Sequence, residues 1–323
     1  MMQLFVAPTF AVGGLALVRC FLLLLVTLAC WPARATDLTL PGINLGGTSF
    51  EDGAGGIGHA FQWTTSYTEA SRLYDAEGDR RDLKHHRALW VSRLHYLYTS
   101  PHMFLGGNLG GDVLLPLIDM DMEIGPARLH KRGMGNPVLG VYLQWLNRRL
   151  FDRPFASRLS LVALVPWGDY DRDASLNLGT DYYSLNPYYA FTLRTSDRWE
   201  LSGRLMYLWN GRSDDPETRL HTLHRETVRT VQPGQALHSN LSASYALNAQ
   251  WRLGIGLYHL QQITNDRING EPQVDSKERI LGLGPGVQWR SGPNRLVANL
   301  YAESMARNRA AGSQLVLRYM RVF

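Results

Sequence analysis

Apolar and polar residues alternate one by one in several long stretches of this chain. The stretch WELSGRLMYLW (199–209) puts large apolar side chains on one face of an extended strand and polar side chains on the other. Trp199, Tyr207 and Trp209 lie near the two ends of the apolar face, and Glu200 and Arg204 lie on the polar face. Ten steps of roughly 3.3 Å, tilted by about 40°, rise on the order of 25 Å, the height between the two aromatic belts of a membrane barrel. The pattern therefore predicts a strand that crosses a bilayer.

Two further stretches repeat this design, WRLGIGLYHLQ (251–261) and SRLSLVALVPW (157–167). Each has a tryptophan on its apolar face, Trp251 or Trp167, and an arginine on the opposite face, Arg252 or Arg158. A soluble β-sandwich also alternates, but it has no need of tryptophans at the ends of its apolar face or of arginines in its core. Lipid outside and water inside account for both features.

The same reading along the whole chain gives about twelve strands and predicts an all-β fold, an antiparallel transmembrane β-barrel. The segments are 59–74, 87–99, 103–118, 135–147, 156–167, 186–195, 199–211, 236–248, 251–263, 278–290, 294–306 and 313–323. Long polar connections, such as 119–134 and 307–312, alternate with short ones, as expected for outer loops and periplasmic turns. An even strand number places both ends in the periplasm, and the terminal Phe323 is typical of a C-terminal assembly signal.

The first 35 residues have the features of an export signal. Arg19 precedes the apolar core 20–31, and Ala33-Arg34-Ala35 forms a small-residue cleavage site before Thr36. The alternatives are a transmembrane anchor, for which the core is too short, and a lipoprotein acylated at Cys30, for which 27–29 is a poor match. We therefore predict a signal peptide (1–35), a Gly-rich segment (36–58) that is periplasmic or plugs the lumen, and a barrel (59–323).

Composition supports a closed barrel in the outer membrane of a Gram-negative bacterium. Both cysteines, Cys20 and Cys30, lie in the predicted signal, so the mature chain must be stable without disulfides, as a barrel with every strand paired is. Aromatic residues make up 11% and charged residues 19% of the chain, which favours strands over helical bundles. The signal contains two arginines and no acids, so the net charge falls from +5 to +3, too little to indicate nucleic-acid binding.

The sequence resembles the SphA-like family of outer-membrane proteins linked to the MetA pathway of phenol degradation. The resemblance is carried by LPGINLGGTSFEDG (40–53), GNPVLGVYLQW (135–145), VPWGDYDRDASLNLGTDYYSLNPYYAF (165–191), ALHSNLSASYAL (236–247), LGIGLYHLQQITNDRING (253–270) and ERILGLGPGVQW (278–289). It implies a barrel that transports small hydrophobic or aromatic compounds, with no catalytic motif. We accordingly expect no enzyme activity, no cofactor and no metal.

The polar residues on inward faces are the candidates for function. They are expected to line the lumen, and they are Arg93, His95, Asp112, Arg158, Glu200, Arg204, Arg252 and Glu303. They either brace a narrow barrel as a charge network or set a polar or anionic preference in a pathway. The membrane-interface aromatics are expected to be Trp167, Trp199, Tyr207, Trp209 and Trp251. Outer-membrane lipids, lipopolysaccharide, the barrel-assembly machinery and small hydrophobic solutes are the expected partners.

Three motifs favour other chemistry only weakly. GAGGIG (53–58) matches a dinucleotide fingerprint, but no strand precedes it and no βαβ unit surrounds it. DYDRD (169–173) spaces its acids as a calcium loop does, but Ala174 and Thr180 replace the glycine and glutamate that such a loop needs. DMDME (119–123) is a second acidic cluster, in a predicted outer loop, and either cluster offers divalent ions a bridge to lipopolysaccharide.

Two other classes of function stay open at this stage. An outer-membrane hydrolase needs a nucleophile beside a base, and His238, Ser242 and Ser244 share one strand face. Their regular spacing is that of an ordinary strand rather than of a catalytic triad. A structural or adhesive barrel without a conduit would use the long loops 212–235 and 264–277.

Overall fold

A computed structural model describes residues 38–323; the predicted signal and both cysteines lie outside the described residues. In residues 38–323, twelve long antiparallel strands close into one barrel, and one short strand adds to its wall. Four further short strands and one short helix extend beyond the wall. The barrel strands are β1 (Gly58–Leu73), β2 (His85–Phe104), β3 (Gly107–Ile124), β5 (Val138–Leu150), β6 (Arg153–Leu164), β8 (Tyr188–Arg194), β9 (Trp199–Asn210), β11 (Ala236–Ala246), β12 (Trp251–Gln262), β15 (Arg279–Ser291), β16 (Asn294–Arg307) and β17 (Ala310–Val322). The short elements are β4 (Ala127–Met134), β7 (Ser184–Leu185), α1 (Arg219–His224), β10 (Val231–Gln232), β13 (Arg267–Ile268) and β14 (Glu271–Pro272). Of these, β7 adds to the wall between β6 and β9.

Closure depends on the pairing of the first and last strands. β1 pairs with β17 from Ala60 opposite Val322 to Leu73 opposite Ala310, so neither strand is left with a free edge. Each of the other barrel strands pairs with its neighbours along the chain, including β6 with β8 and β9 with β11. Closure matters because an unpaired edge in hydrocarbon leaves backbone groups without hydrogen-bond partners. The prediction of a twelve-stranded antiparallel barrel is confirmed.

Side chains alternate between lipid and lumen along each strand. On β9, Trp199 and Leu205 are 50% and 53% exposed on the outer surface, whereas Glu200 and Ser202 are buried inside. The outward residues at the periplasmic end form a continuous aromatic-rich row, because Trp63, Tyr319, Leu296, Trp289 and Trp251 lie opposite one another on successive strands. Such a row is typical of the boundary between hydrocarbon and headgroups.

Three predicted connections are wrong. The predicted loop 119–134 is a β-hairpin, because β3 continues to Ile124 and β4 returns to Met134, and the two extend the sheet beyond the barrel wall. The hairpin was missed because the outward face of β3 changes there from apolar side chains to Asp119, Asp121 and Glu123. The predicted connection 307–312 is only the two residues 308 and 309 between β16 and β17. Likewise β2 extends to Phe104, so the turn predicted at 100–102 lies at 105–106.

The largest outer loops form a small cap over the barrel. α1 and the three-stranded sheet β10–β13–β14 bury Leu220, Val228, Val231 and Ile268 in a shared cluster. Leu38, at the start of the described chain, packs against this cluster. Within residues 38–323, no helix has the length and apolar character needed to cross a bilayer.

Candidate functional site: the barrel lumen

Residues 38–57, the N-terminal segment, run through the barrel from its outer end toward its periplasmic end. Leu38 packs on the outer cap, and the Leu40 amide donates to Glu278 Oε1 (3.2 Å) just before β15 begins. Farther down, the Gly53 amide donates to Thr192 Oγ1 (2.9 Å) on the luminal face of β8. The backbone of this segment therefore finds its hydrogen-bond partners on the barrel wall rather than in a sheet of its own.

The middle of the segment is held closely against two tyrosines. Gly46 has a φ of +69°, and a Cβ atom there would lie 2.8 Å from the rings of both Tyr258 and Tyr301. The Gly46 amide donates to Asn240 Oδ1 (2.9 Å), and Asn240 Nδ2 donates to Thr48 Oγ1 (2.9 Å). Only glycine combines the left-handed backbone with this close approach, so the GG pair in the sequence has a packing reason.

Phe50 anchors the segment by its side chain. The ring is fully buried and lies over two wall glycines, since a Cβ atom at Gly254 or Gly286 would come within 2.8 Å or 2.9 Å of it. Arg318 on β17 donates to the Phe50 carbonyl oxygen (3.3 Å). Small residues on β12 and β15 thus make room for a large apolar residue of the segment.

An ion pair joins the segment to β9. Arg204 Nε and Nη2 donate to the two carboxylate oxygens of Asp52 at 2.9 Å and 2.8 Å, a two-pronged geometry. The guanidinium also stacks on the Tyr188 ring, 4.2 Å from its centre. Both side chains are largely buried, so removal of either partner leaves the other charge uncompensated.

Glu51 is a second charged residue of the segment that contacts the wall, at the periplasmic end, and it has several partners. Its carboxylate accepts hydrogen bonds from Gln288 Nε2 (2.9 Å) and Arg290, and Arg295 lies 3.7 Å away. Burial alone raises the pKa of this carboxyl, but Arg295 and Arg290, with the Gln288 hydrogen bond, outweigh it and hold the pKa at about 2. The Glu51 amide donates to Glu200 Oε1 (2.7 Å).

All eight charged or histidine residues predicted to line the lumen lie on inward faces of their strands, and five of them take part in three contacts near the wall. His95 Nε2 is 3.0 Å from Asp112 Oδ2, and Arg252 Nη1 is 3.2 Å from Glu200 Oε2. Arg204 pairs instead with Asp52, a residue of the segment. The sequence indicated the luminal position of these side chains but not this partner.

Each of the remaining three predicted residues forms hydrogen bonds with its own partners on the wall. Arg158 Nε donates to Gln144 Oε1 (2.7 Å) and its guanidinium lies over the Tyr142 ring. Arg93 donates to Ser66 Oγ (3.1 Å). The third, Glu303, accepts a hydrogen bond from Tyr258 Oη (2.7 Å) and another from the Gly312 amide (2.9 Å).

One part of the luminal wall is apolar. In the outer half of β2 and β3, Leu89 lies opposite Met120 and Val91 lies opposite Ile118, and Leu114 follows closer to the periplasm. These five residues, the apolar wall, alternate with lipid-facing residues such as Leu115 and Leu117, so their side chains point inward. Barrel lumens are ordinarily polar. Arg93 follows Val91 on the same face and lies opposite Pro116, and His95, which contacts Asp112, lies opposite Leu114.

The hydrolase constellation is not assembled. His238 Nε2 is 2.8 Å from Asn186 Nδ2, and Ser244 contacts Glu200 and Arg252. Within residues 38–323, no hydrogen bond joins His238 to Ser242 or Ser244. DMDME (119–123) lies in β3, and Asp119, Asp121 and His130 bring their ligand atoms within 4.8 Å of one another on the exposed hairpin.

The interface aromatics and the C-terminus occupy distinct places. Trp167, Trp199, Trp209 and Trp251 are exposed on the barrel exterior, and Tyr207 is partly exposed and donates to Gln235 Oε1 (2.8 Å). The Phe323 amide donates to the His59 carbonyl (2.9 Å) at the periplasmic end of the closing seam, and its ring is exposed.

Comparison with known proteins gives a family and a fold. Residues 70–319 match the family described as "Putative MetA-pathway of phenol degradation". The structure is similar to that of the COG4313 outer membrane channel from Pseudomonas putida F1, with a TM-score of 0.71 and 18% identity over 84% of this chain and 97% of that chain. Lower TM-scores were found for the transport unit of the autotransporter AIDA-I from Escherichia coli (0.46; 10% identity over 82% and 90% of the two chains) and for the CymD monoaromatic hydrocarbon channel (0.43; 9% over 83% and 89%).

No curated protein matches the chain. The family match covers most of the chain and confirms the resemblance seen in the sequence. The chain therefore belongs to the MetA-pathway phenol-degradation family, and it is a β-barrel protein of the Gram-negative outer membrane.

Proposed function

We propose that this barrel is a conduit for small hydrophobic or aromatic compounds, closed in the present conformation by its N-terminal segment. The observation that carries the proposal is the apolar wall. A lumen that passed only water and ions would gain nothing from five inward apolar side chains along β2 and β3. An apolar solute entering from outside would be stabilised there by roughly 25 cal/mol for each Å² of surface that it buries.

The polar groups beside the apolar wall suit a substrate with one polar substituent. Arg93 and the His95–Asp112 pair lie next along β2 and β3, so the ring of a phenol-like compound would meet the apolar wall while its hydroxyl group met these side chains. Ligand sites commonly combine an apolar lining with a few polar groups that fix orientation. Their role here is recognition, and we propose no catalytic step, cofactor or metal.

Passage requires the N-terminal segment to move. In the lower half of the barrel the lumen is occupied by Phe50, by the Asp52–Arg204 pair and by Glu51 with its arginines. A solute that has reached His95 must pass this region to enter the periplasm. We therefore assign residues 36–58 the role of a movable plug, residues 59–323 that of the wall, and residues 1–35 that of the signal.

The exposed residues of the barrel indicate its partners in the membrane and during assembly. Outer-membrane lipids and lipopolysaccharide cover the lipid-facing rows, and the barrel-assembly machinery recognises the C-terminal strand ending at Phe323. Both partners are proposed from the position of these residues on the barrel.

A reversible cross-link between plug and wall tests the proposal. Thr48→Cys with Asn240→Cys replaces a pair of side chains already in contact, in a mature chain that contains no other cysteine. We expect uptake of a labelled phenol by intact cells to fall under oxidising conditions and to recover on reduction. Intact cells are needed because a plain phospholipid bilayer lets small apolar solutes through unaided.

The matched control joins two wall strands instead. Ser202→Cys with Ser242→Cys links β9 to β11, where these residues lie directly opposite each other, and leaves the N-terminal segment free. This variant should take up phenol in both redox states. If the plug cross-link forms and uptake continues unchanged, movement of the segment is not needed and the proposal fails.

A barrel without a conduit is the second candidate, and the occupied lower lumen favours it. In that case the segment is a permanent part of the core. Uptake would then be indifferent to both cysteine pairs and equal to that of cells lacking the protein, which separates the two functions.

A further inference from the structure

Two arginines lie directly opposite each other on the exterior of the barrel. Arg279 at the start of β15 pairs in register with Arg307 at the end of β16. Both point outward, because the adjacent Ile280 and Ala306 are buried inside the barrel, in a cluster with Tyr258 and Leu260. Like charges facing each other across two strands destabilise a sheet, so this arrangement needs a compensating group.

The described protein supplies no such group. Within residues 38–323, no carboxylate forms an ion pair with either guanidinium at 4.0 Å or less. The Nε of Arg279 donates to the Met305 carbonyl (3.0 Å), which fixes the base of its guanidinium. Gln261 on β12 lies opposite Arg279, and His259 is one outward position closer to the membrane centre, so the outward side chains next to Arg279 on β12 are polar or basic too.

The other end of the same two strands shows how an opposed arginine pair is compensated. Arg290 and Arg295 also face each other across β15 and β16, but on the luminal side. There the Glu51 carboxylate lies against both guanidinium groups. An oxyanion therefore neutralises the inner arginine pair, whereas the outer pair is likewise opposed but has none among residues 38–323.

The outer pair lies at the boundary of the membrane. On β15, Arg279 is ten residues from Trp289, which belongs to the periplasmic aromatic row. Ten tilted strand residues rise on the order of 25 Å, the thickness of the apolar band. Arg279 and Arg307 are thus level with the headgroups of the outer leaflet, where the available oxyanions are phosphate groups of lipids.

We propose that Arg279 and Arg307 form a binding site for the phosphorylated headgroup of an outer-leaflet lipid. One phosphate accepts hydrogen bonds from both guanidinium groups, as a forked donor pair allows, and the acyl chains lie along Leu281 and Leu283 below. The proposal concerns the exterior surface and does not depend on what passes through the lumen.

The experiment compares lipid retention among variants purified from outer membranes in mild detergent. Native mass spectrometry counts the phosphorylated lipid bound to the wild type, to Arg279→Gln/Arg307→Gln and to Arg128→Gln. Arg128 is the matched control, because it is also an exposed arginine on the outer part of the sheet but is already paired with Glu123 (3.1 Å). We expect the double variant to lose several-fold of the bound lipid and the control to keep it.

Two further arms identify the ligand and guard against misfolding. Added lipid A should rebind to the wild type, whereas dephosphorylated lipid A and inorganic phosphate should not; equal binding of either would overturn the assignment to a lipid phosphate. The single variant Arg307→Gln should show an intermediate loss while its heat-resistant migration shows a folded barrel. Unchanged retention in both arginine variants would also overturn the proposal.

Discussion

Asp52 and Arg204 show how much depends on a single charged partner inside the barrel. Arg204→Ala leaves the Asp52 carboxylate buried and unpaired, which typically costs about 3–5 kcal/mol. Because we propose that the segment moves while the barrel stays folded, we expect this cost to appear as release of residues 44–56.

Labelling of a cysteine introduced at Ala54 measures that release. Maleimide should react faster in Arg204→Ala than in the parent, and the double variant Asp52→Ala/Arg204→Ala should lie between them because it leaves no unpaired charge. Equal labelling rates in all three proteins would contradict a locking role for the pair.

Asp266 makes the outer cap sensitive to pH. Its carboxylate accepts hydrogen bonds from the Gly234 amide and Gln262 Nε2 (both 2.7 Å), but burial, with Glu278 nearby, raises its pKa from 3.8 to about 7. An acid whose pKa is raised on folding does not destabilise the folded state below about pH 3.8, and its destabilising effect grows until the pH passes about 7. The cap should therefore loosen as the pH rises through this window.

Hydrogen exchange of residues 233–235 and 263–276, corrected for the intrinsic rate at each pH, follows this loosening. Asp266→Asn keeps an acceptor for the Gly234 amide and cannot ionise, so its protection should stay flat from pH 4 to 8. Its protection at pH 8 should exceed that of the wild type. A wild-type cap with no pH dependence would show that Asp266 is solvated in the folded protein.

At the scale of single side chains, alternation predicted which residues face the lumen, because a strand has a period of two. It gave no partner for Arg204, since Asp52 lies 152 positions away in a segment without periodicity. Glu51 and the opposed arginines Arg290 and Arg295 were missed for the same reason. Their contacts depend on how an irregular segment is folded into the barrel, and local pattern does not encode that.

Among the elements, the seam between β1 and β17 is tightly packed at Gly312. Gly312 lies beside a bulge in β1, and a Cβ atom there would be 1.8 Å from the Glu69 carbonyl oxygen. Gly312→Ala must therefore push two paired backbones apart, which typically costs about 1–3 kcal/mol. We expect a lower yield of folded barrel, seen as less of the heat-modifiable fast-migrating form.

Gly42→Ala is the control for this substitution. A Cβ atom at Gly42 would meet no heavy atom within 4 Å, and this residue lies outside the wall. It should fold with the yield of the wild type. If the two variants fold equally well, the seam tolerates a displacement that its backbone geometry does not suggest.

The strands were predictable where one face meets lipid, and less so where both faces meet water. β9 and β12 were placed to within two residues because most of their outward residues are apolar. The hairpin of β3 and β4 extends beyond the bilayer, where Asp119, Asp121 and Glu123 alternate with methionines and the apolar face is lost. Its pairing is set by its neighbour in the sheet, which the sequence of the hairpin alone does not reveal.

For the whole molecule, strand number and closure followed from the recurrence of the pattern, whereas the contents of the lumen did not. A Gly-rich stretch such as 44–58 has too little apolar periodicity for its path through the barrel to be predicted. Its place in the structure results from many separate contacts with β8, β9, β11, β12, β15 and β17. The apolar wall could not be predicted from alternation either, because β3 is apolar on both faces in its middle third.

The path of the N-terminal segment turns the barrel into a ring with a thread drawn through it. Leu38 lies among the outer loops, whereas Gly58 begins β1 at the opposite rim. The seam between β1 and β17 can close around a segment already in place, or the segment must be fed through a finished ring. A bulky domain fused immediately before Leu38 would be tolerated in the first order of events and blocked in the second. In the tolerated case, that domain would stand on the cell surface although it had been attached at the N-terminal end of the first strand.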